Sequence, residues 1–299
     1  TARLRYRKFD TEYMRYVFKD PDYVNELPIL ELAEDSVTFP VAAGQPVNNA
    51  EVDFPLWQRW NDYGIGLLRK KGTGQLRQAE EAFQVVEELG RPDGPVNLAR
   101  VYLREGRVAK DAPDALRRAA EFDPPAREWS VLWFTGLVNK QNANFDAAIS
   151  NFEQIVEGGF EQAQGREFDF SKDYRLLIEP GTPVHARARP HRGEPTRARR
   201  EQRRPPAAGW LERALELDPE NAAAHYNLEL VYSELGDEER SQHHAALHAK
   251  HKPDDNAADR AIAAARRRYP AADVAAEPVV IYDLQRVGAY GMDEQVGGQ

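Results

Sequence analysis

Three histidines near the end of the chain have a spacing that could bind a metal ion. The segment SQHHAALHAKH places His244, His248 and His251 at positions i, i+4 and i+7, which on a helix puts three imidazoles on one face. Imidazoles one helical turn apart can bind Zn²⁺, Ni²⁺ or Cu²⁺. No glutamate completes an HExxH arrangement, so a metal would lack its other ligands. The alternative is a histidine face that meets solvent or a neighbouring helix, and we predict no bound metal and no cofactor.

The composition excludes several other kinds of chemistry. The 299 residues include no cysteine, which rules out disulfides, cysteine-bound zinc, a thiol nucleophile and covalent c-type haem attachment. The glycine pairs Gly64-x-Gly66 and Gly72-x-Gly74 lack the preceding strand that a nucleotide-binding loop needs. A net charge of -9 argues against general nucleic-acid binding, because phosphates require a basic surface. No catalytic constellation stands out, so the sequence indicates a protein that is not an enzyme.

A repeated residue pattern predicts the helices that would position any functional side chains. Pro219 and Pro253 are 34 residues apart, and His225, Leu228 and Tyr232 between them fall on one helical face. An LGD turn then precedes a second helix. The period and the pattern resemble the tetratricopeptide repeat, a pair of helices that buries its apolar face only by stacking on neighbouring repeats.

The same pattern occurs three times between residues 54 and 160. A Gly or Ala lets two helices approach closely, while larger side chains fill the space on either side. We therefore predict an all-α fold, a tetratricopeptide-type solenoid of helical hairpins with short extended N- and C-terminal arms. The matching residues are Trp60, Tyr63, Gly64, Leu67, Ala79 and Phe83 in the first repeat, Leu98, Ala99, Tyr102, Ala112, Leu116 and Ala119 in the second, and Leu132, Thr135, Gly136, Ala148 and Phe152 in the third.

The pattern divides the chain into five segments. Aromatic residues predict a helix from about Asp10 to Phe18 in the first segment, and alternation predicts short strands after it. The Ala-rich stretch after Asn256 predicts a helix that caps the end of the array. The segments are an aromatic and extended arm (1–53), three repeats (54–160), an irregular Arg/Pro-rich interruption (161–206), further repeats with the capping helix (207–269) and an extended tail (270–299).

The interruption is sharpest over residues 178–206, where Arg and Pro replace almost every large apolar residue. One interpretation is a disordered basic linker. A second is a tail that binds nucleic acid or an acidic partner. A third is a stretch read out of frame, because the repeat pattern is intact on both sides of it and resumes at Ala207.

The first helices of the repeats predict a groove for a protein or peptide partner. Arg and Asn donors beside aromatic rings would suit an extended peptide with acidic side chains or a free carboxylate. The alternative is an ordinary solvated face. The predicted groove residues are Gln58, Asn61, Asp62, Arg69, Asn97, Arg100, Arg104, Trp133, Lys140, Tyr226 and Asn227.

Several segments also resemble the C-terminal repeat region of bacterial multihaem cytochrome c proteins that carry tetratricopeptide repeats. They include WQRWNDYGIGLLRK, GPVNLARVYLREG, AHYNLELVYSELGD and AAEPVVIYDLQR. In that family a haem domain with CxxCH sites precedes the repeats, and the protein is exported to the periplasm. This chain contains no cysteine, so none of its residues corresponds to a haem ligand of that family. Since the chain starts at Thr1 rather than Met, we expect a processed or truncated start.

The resemblance implies a non-enzymatic interaction scaffold of a periplasmic electron-transfer assembly, with a multihaem cytochrome as a partner. A cytoplasmic location is also compatible with a chain that lacks cysteine. The alternative function is an electron-transfer subunit whose haem is held without covalent attachment or by a partner. A third, weaker interpretation is binding of nucleic acid or another acidic polymer through the Arg-rich segment. No apolar run approaches the ~18 residues of a membrane span, so none is expected.

Overall fold

The computed structural model describes residues 1–39, 54–70, 75–180 and 197–268. Contacts within the chain divide its described residues into two units, one of residues 1–39 and the other of residues 54–70, 75–180 and 197–268. Among the described residues, both strands belong to the first unit and all the helical hairpins belong to the second. None of the described helices is both long enough and apolar enough to cross a membrane.

The first unit contains two antiparallel strands with a helix between them in sequence. Strand β1 (Ala2–Tyr6) pairs with strand β2 (Leu30–Asp35), and helix α1 (Thr11–Phe18) lies in the connection. Helix α1 begins where the sequence predicts it, because the Asp10 carboxylate accepts a hydrogen bond from the Tyr13 amide at 2.7 Å. The sequence pattern indicates strands only after α1, so the pairing with β1 is a structural finding.

The second unit begins with three helical hairpins that follow one another along the chain. Each pairs a first helix with a second helix, and the second helix of one hairpin packs on the first helix of the next. First helices also pack on each other, α2 on α4 and α4 on α6. The three pairs are α2 (Leu56–Arg69) with α3 (Leu76–Glu88), α4 (Asp93–Glu105) with α5 (Asp111–Glu121), and α6 (Glu128–Gln141) with α7 (Phe145–Glu157).

Glycine in the first helix makes room for phenylalanine in the second helix of two of these hairpins. A Cβ atom built on Gly64 would lie 2.6 Å from Cε1 of Phe83, and one on Gly136 would lie 2.6 Å from Cε1 of Phe152. Both rings are completely buried. The predicted spacing of small and aromatic residues therefore corresponds to direct contact between the two helices of a hairpin.

Side chains tie two of the first helices to the preceding hairpin. The Arg104 guanidinium of α4 donates to the backbone carbonyl of Leu68 in α2. Asn142 Nδ2, just after α6, donates to the Val108 carbonyl at 2.8 Å. These bonds fix the distance between successive hairpins in addition to the apolar core.

Helices occupy parts of the range 161–206 as well. The α8 helix (Glu161–Gln164) and a 3₁₀ turn (Phe170–Lys172) precede the short α9 helix (Tyr174–Ile178), which packs on α10 (Arg197–Leu217). The backbone of α10 is helical from Arg197, although the sequence pattern resumes only at Ala207. Residues 181–196 of the predicted interruption lie outside the described residues, and the out-of-frame interpretation stays a prediction.

The array ends in a further hairpin and a single helix. The hairpin pairs α11 (Ala222–Leu235) with α12 (Glu238–His251), and α13 (Asp255–Arg268) follows at the predicted capping position. Leu228, Val231 and Tyr232 of α11 share a buried cluster with residues of α10. The predicted tail of residues 270–299 lies outside the described part of the chain.

The structure confirms the predicted fold class, an all-α tetratricopeptide-type array of helical hairpins with an extended N-terminal segment. Its cores lie between the helices of each hairpin and between successive hairpins. First helices are thereby brought side by side, which places their polar residues next to one another.

Candidate functional site

A chain of polar side chains links the first helices of the first two hairpins. Asn97 of α4 is only 6% exposed, and its Nδ2 donates to Asn61 Oδ1 of α2 at 2.8 Å. Arg100 donates to Asn97 Oδ1 at 2.7 Å. Asn97 therefore orients Arg100, because its side-chain amide bonds both Asn61 of the neighbouring helix and the Arg100 guanidinium.

Three arginines converge beside this chain. Burial and then the positive charges of Arg104 and Arg69 lower the pKa of the Arg100 guanidinium below its ordinary value. The Arg100 guanidinium also lies 5.9 Å from the ring centroid of Phe134 in α6. Among the described residues, no carboxylate forms an ion pair with Arg69, Arg100 or Arg104.

This cluster carries a positive charge that the described residues do not neutralise. Other arginines of the same hairpins are paired, such as Arg107 with Glu80 and Arg118 with Glu87. A bound anion would relieve the repulsion and accept the remaining guanidinium hydrogens, and carboxylates match the arginine fork. The arrangement is therefore suited to a carboxylate ligand.

The other predicted groove residues of the first three hairpins have different surroundings. Gln58 and Asp62 are exposed on α2, the helix that also carries Arg69. Trp133 packs its ring 5.5 Å from the ring centroid of Phe152, as part of the core of the third hairpin. The ammonium group of Lys140 pairs with the Glu179 carboxylate at 2.7 Å.

The two predicted groove residues of α11 differ from each other. Tyr226 is 46% exposed, and its ring centroid lies 5.1 Å from that of His248. Asn227 is buried, and its Nδ2 donates to the Ala223 carbonyl of its own helix at 2.9 Å. The structure thus brings Asn61, Arg69, Asn97, Arg100 and Arg104 together, and it places Trp133, Lys140, Tyr226 and Asn227 in separate surroundings.

A buried histidine in α11 organises part of the histidine cluster. His225 is 3% exposed, its Nε2 is 3.0 Å from the Pro219 carbonyl, and its Nδ1 is 2.9 Å from Nδ1 of His244. Because a carbonyl only accepts, the His225 tautomer that donates from Nε2 to Pro219 leaves its Nδ1 to accept from His244. Burial, together with the neighbouring His225 and His243, lowers the pKa of His244 to about 4. The sequence places His225 on the core face of α11 but does not indicate this bond, which depends on how α12 packs.

The three histidines predicted as weak metal candidates do not converge. His244 stacks on Tyr232 at 5.6 Å, His248 contacts Tyr226, and His251 stacks on His225 at 6.0 Å. Among the described residues, no group of three or more His, Asp or Glu side chains is arranged to hold a metal ion. The histidine face is used for contacts between α11 and α12.

Comparisons with known proteins give only structural matches. No protein-family model matches the chain, and no curated protein does. Solved structures similar to it include MamA 41-end from Desulfovibrio magneticus RS-1, with 14% identity, 66% of this chain and 94% of that chain covered, and a TM-score of 0.49. They also include MamA AMB-1, with 17% identity, 65% and 97% coverage, and a TM-score of 0.45. At these low TM-scores, the fold assignment rests on the helix contacts of this chain itself.

Proposed function

We propose that the protein is an interaction scaffold that binds an acidic segment of a partner protein across α2 and α4. The observation that carries the proposal is the cluster of Arg69, Arg100 and Arg104, which no described carboxylate neutralises. A peptide carboxylate placed there would form charge-assisted hydrogen bonds with a guanidinium already held by Asn97.

The binding surface is preorganised by the packing of the hairpins. Asn97 and Arg104 each bond from α4 to α2, so the two helices that carry the arginines are held together before a partner arrives. Little additional ordering is then needed on the scaffold side, which favours affinity. A repeat array of this kind offers an extended surface to an extended peptide.

The experiment compares a fluorescein-labelled hexaglutamate peptide with a hexaglutamine peptide by fluorescence anisotropy. We expect the acidic peptide to bind, with an affinity that falls as salt rises. Arg100→Gln should weaken binding about ten- to hundredfold, because one charge-assisted hydrogen bond is worth ~1.5–3 kcal/mol. The matched control is Arg117→Gln on α5, since that arginine is exposed and already paired with Glu121. Equal binding of the two peptides, or an unchanged affinity in Arg100→Gln, would contradict the proposal.

We further propose a periplasmic location beside a multihaem cytochrome, supported by the sequence segments that resemble such proteins. Cell fractionation tests the location, and copurification followed by mass spectrometry tests the partner. The visible absorption spectrum of the purified protein separates a scaffold from a subunit that holds haem itself. We expect no Soret band, and a stoichiometric band would replace the scaffold function with electron transfer.

A further inference from the structure

A cavity of about 260 Å³ lies on another part of the array, between α7 and α10. Ile149 and Glu153 of α7 line one side, and Pro180, Ala207 and Trp210 line the other. None of these residues belongs to the arginine cluster of α2 and α4. The cavity therefore offers a second site, and its chemistry is independent of the first.

The two walls of the cavity have complementary properties. Asp146, Ile149 and Glu153 are spaced at i, i+3 and i+7, so they share one face of α7. Asp146 already takes part in another interaction, which leaves Glu153 as the carboxylate for a ligand. Trp210 and Pro180 line the opposite wall. Among the described residues, Glu153 forms no ion pair. Carboxylates facing an aromatic ring are a suitable environment for an organic cation.

The indole of Trp210 already lies close to one cation. The guanidinium of Arg213, one helical turn further along α10, lies 4.7 Å from the Trp210 ring centroid. An indole has two faces, so a second guanidinium can stack on the other face. Arginine fits this role better than lysine, because its planar group can stack on the ring while its fork bonds a carboxylate.

The volume limits the ligand to something small. Cavities that hold whole small-molecule ligands usually measure about 300–1,000 Å³, which exceeds this one. A single long side chain fits, with its methylene stem against Ile149 and Pro180 and its charged head at the Glu153 carboxylate. We propose that this cavity binds an arginine side chain of a partner protein.

The experiment uses the full chain with ¹⁵N-labelled tryptophan indoles and N-acetyl-arginine N-methylamide as the probe. Trp210→Phe assigns the Trp210 indole signal. We expect a saturable shift of that signal with the arginine probe and less than a tenth of that shift with the neutral citrulline analogue at equal concentration. Equal shifts with both probes would overturn the proposal.

Variants then test which wall recognises the charge. Glu153→Gln keeps the shape and should weaken binding at least threefold, whereas Glu157→Gln, on an exposed residue of the same helix outside the cavity, should leave it unchanged. Arg213→Gln should retain binding or strengthen it, because it removes the chain's own cation from the indole. Unchanged binding in Glu153→Gln, or loss of binding in Arg213→Gln, would contradict an arginine held between Glu153 and Trp210.

A last comparison separates a protein side chain from a free metabolite. The capped probe lacks the charged α-amino and α-carboxylate groups of free arginine. If free arginine binds tenfold tighter than the capped probe, the cavity recognises an amino acid and the proposal of a partner side chain is overturned. Equal or weaker binding of free arginine supports a side chain presented by a peptide backbone.

Discussion

The first three hairpins and the last hairpin have the same fold but are held together by different forces. None of the helices α2 to α7 has a side-chain hydrogen bond at its N-cap. Two of these hairpins instead close on a glycine that accepts a buried phenylalanine ring. Apolar packing, which does not itself change with pH, therefore closes these hairpins, and ion pairs such as Arg107 with Glu80 and Arg118 with Glu87 add to it.

The last hairpin relies much more on polar contacts. Asn221 and Asp237 cap α11 and α12, and the buried Ser241 hydroxyl donates to the Glu229 carbonyl at 3.0 Å. In the last hairpin, Glu229 and Ala245 occupy the positions that Gly136 and Phe152 occupy in the third hairpin, again 16 residues apart. The last hairpin therefore lacks this glycine and this phenylalanine. The His225–His244 pair joins the two helices instead. The comparison shows that one backbone arrangement tolerates either kind of contact.

The largest expected effect tests the packing of the early hairpins. Phe152→Ala should lower the free energy of unfolding by about 3–5 kcal/mol, because it removes a completely buried ring that Gly136 leaves space for. Urea denaturation followed by circular dichroism measures the change. Leu89→Ala, at a side chain that is 42% exposed, serves as the control and should cost less than 1 kcal/mol, about what an exposed site costs. A loss below 1 kcal/mol in Phe152→Ala would show that the buried ring contributes no more to stability than the exposed Leu89 side chain.

Two glycines of one helix should respond in opposite directions. Gly64→Ala places a Cβ 2.6 Å from the Phe83 ring, so we expect it to destabilise the protein by about 1–3 kcal/mol. Gly66→Ala meets nothing within 4 Å and should stabilise the protein by up to about 1 kcal/mol through helix propensity. Thermal denaturation of both variants compares them directly. Losses of equal size would show that helix geometry, not the Phe83 contact, requires the glycine.

Acid should weaken the last hairpin specifically. The pKa of His244 is about 4 when folded and 6.5 ordinarily, so the unfolded chain binds more protons between those pH values. Stability is therefore complete above pH 6.5 and falls as the pH drops towards 4, by about 1–2 kcal/mol after allowance for solvent screening. Hydrogen exchange of peptides from α11 and α12, corrected for intrinsic rates, measures the loss. His244→Asn should make the stability of the last hairpin less dependent on pH. Equal acid sensitivity of α2 to α7 would argue against His244 as the group responsible.

The smallest effect concerns the helix caps. Asn221→Ala removes the acceptor of the Ala224 amide hydrogen bond, which is 2.9 Å long, and should cost about 1 kcal/mol. Asn221→Ser keeps an acceptor for this amide without placing a second carboxylate beside Asp218, which Asn221 Nδ2 bonds at 2.9 Å, and should restore most of this stability. Urea denaturation suffices as the measurement. If Asn221→Ala is as stable as the unaltered protein, the last hairpin depends on its caps no more than the early ones do.

The sequence predicts the hairpins well because their core positions recur at a fixed spacing. The contact of Gly136 with Phe152 has that spacing, and the same contact between Gly64 and Phe83 is kept although the loop between them is longer. The direction of a polar side chain is harder to predict, since neighbouring positions on a helix differ by about 100°. The sequence predicts Trp133 in the groove, and it does not indicate the contact of this half-buried ring with Phe152.

Features that depend on two separate elements escape sequence analysis. The bond between His225 and His244 requires knowing how α12 packs on α11. The cavity beside Trp210 requires knowing that α10 lies near α7. The helical backbone through Pro205 and Pro206 also departs from propensity, because proline removes a helical hydrogen bond and favours a helix start after it.

The hydrogen bonds between successive hairpins affect which substitutions the protein tolerates. Arg104 and Asn142 each bond a backbone carbonyl, that of Leu68 and that of Val108. Every amino acid carries such an acceptor, so substitutions at Leu68 and Val108 leave the acceptor in place as long as the helix or turn keeps its course. Only the donor side of each junction depends on the identity of a residue. The acceptor half of each bond is thus independent of side-chain identity, and the buried Leu68 and Val108 side chains are constrained by the core alone.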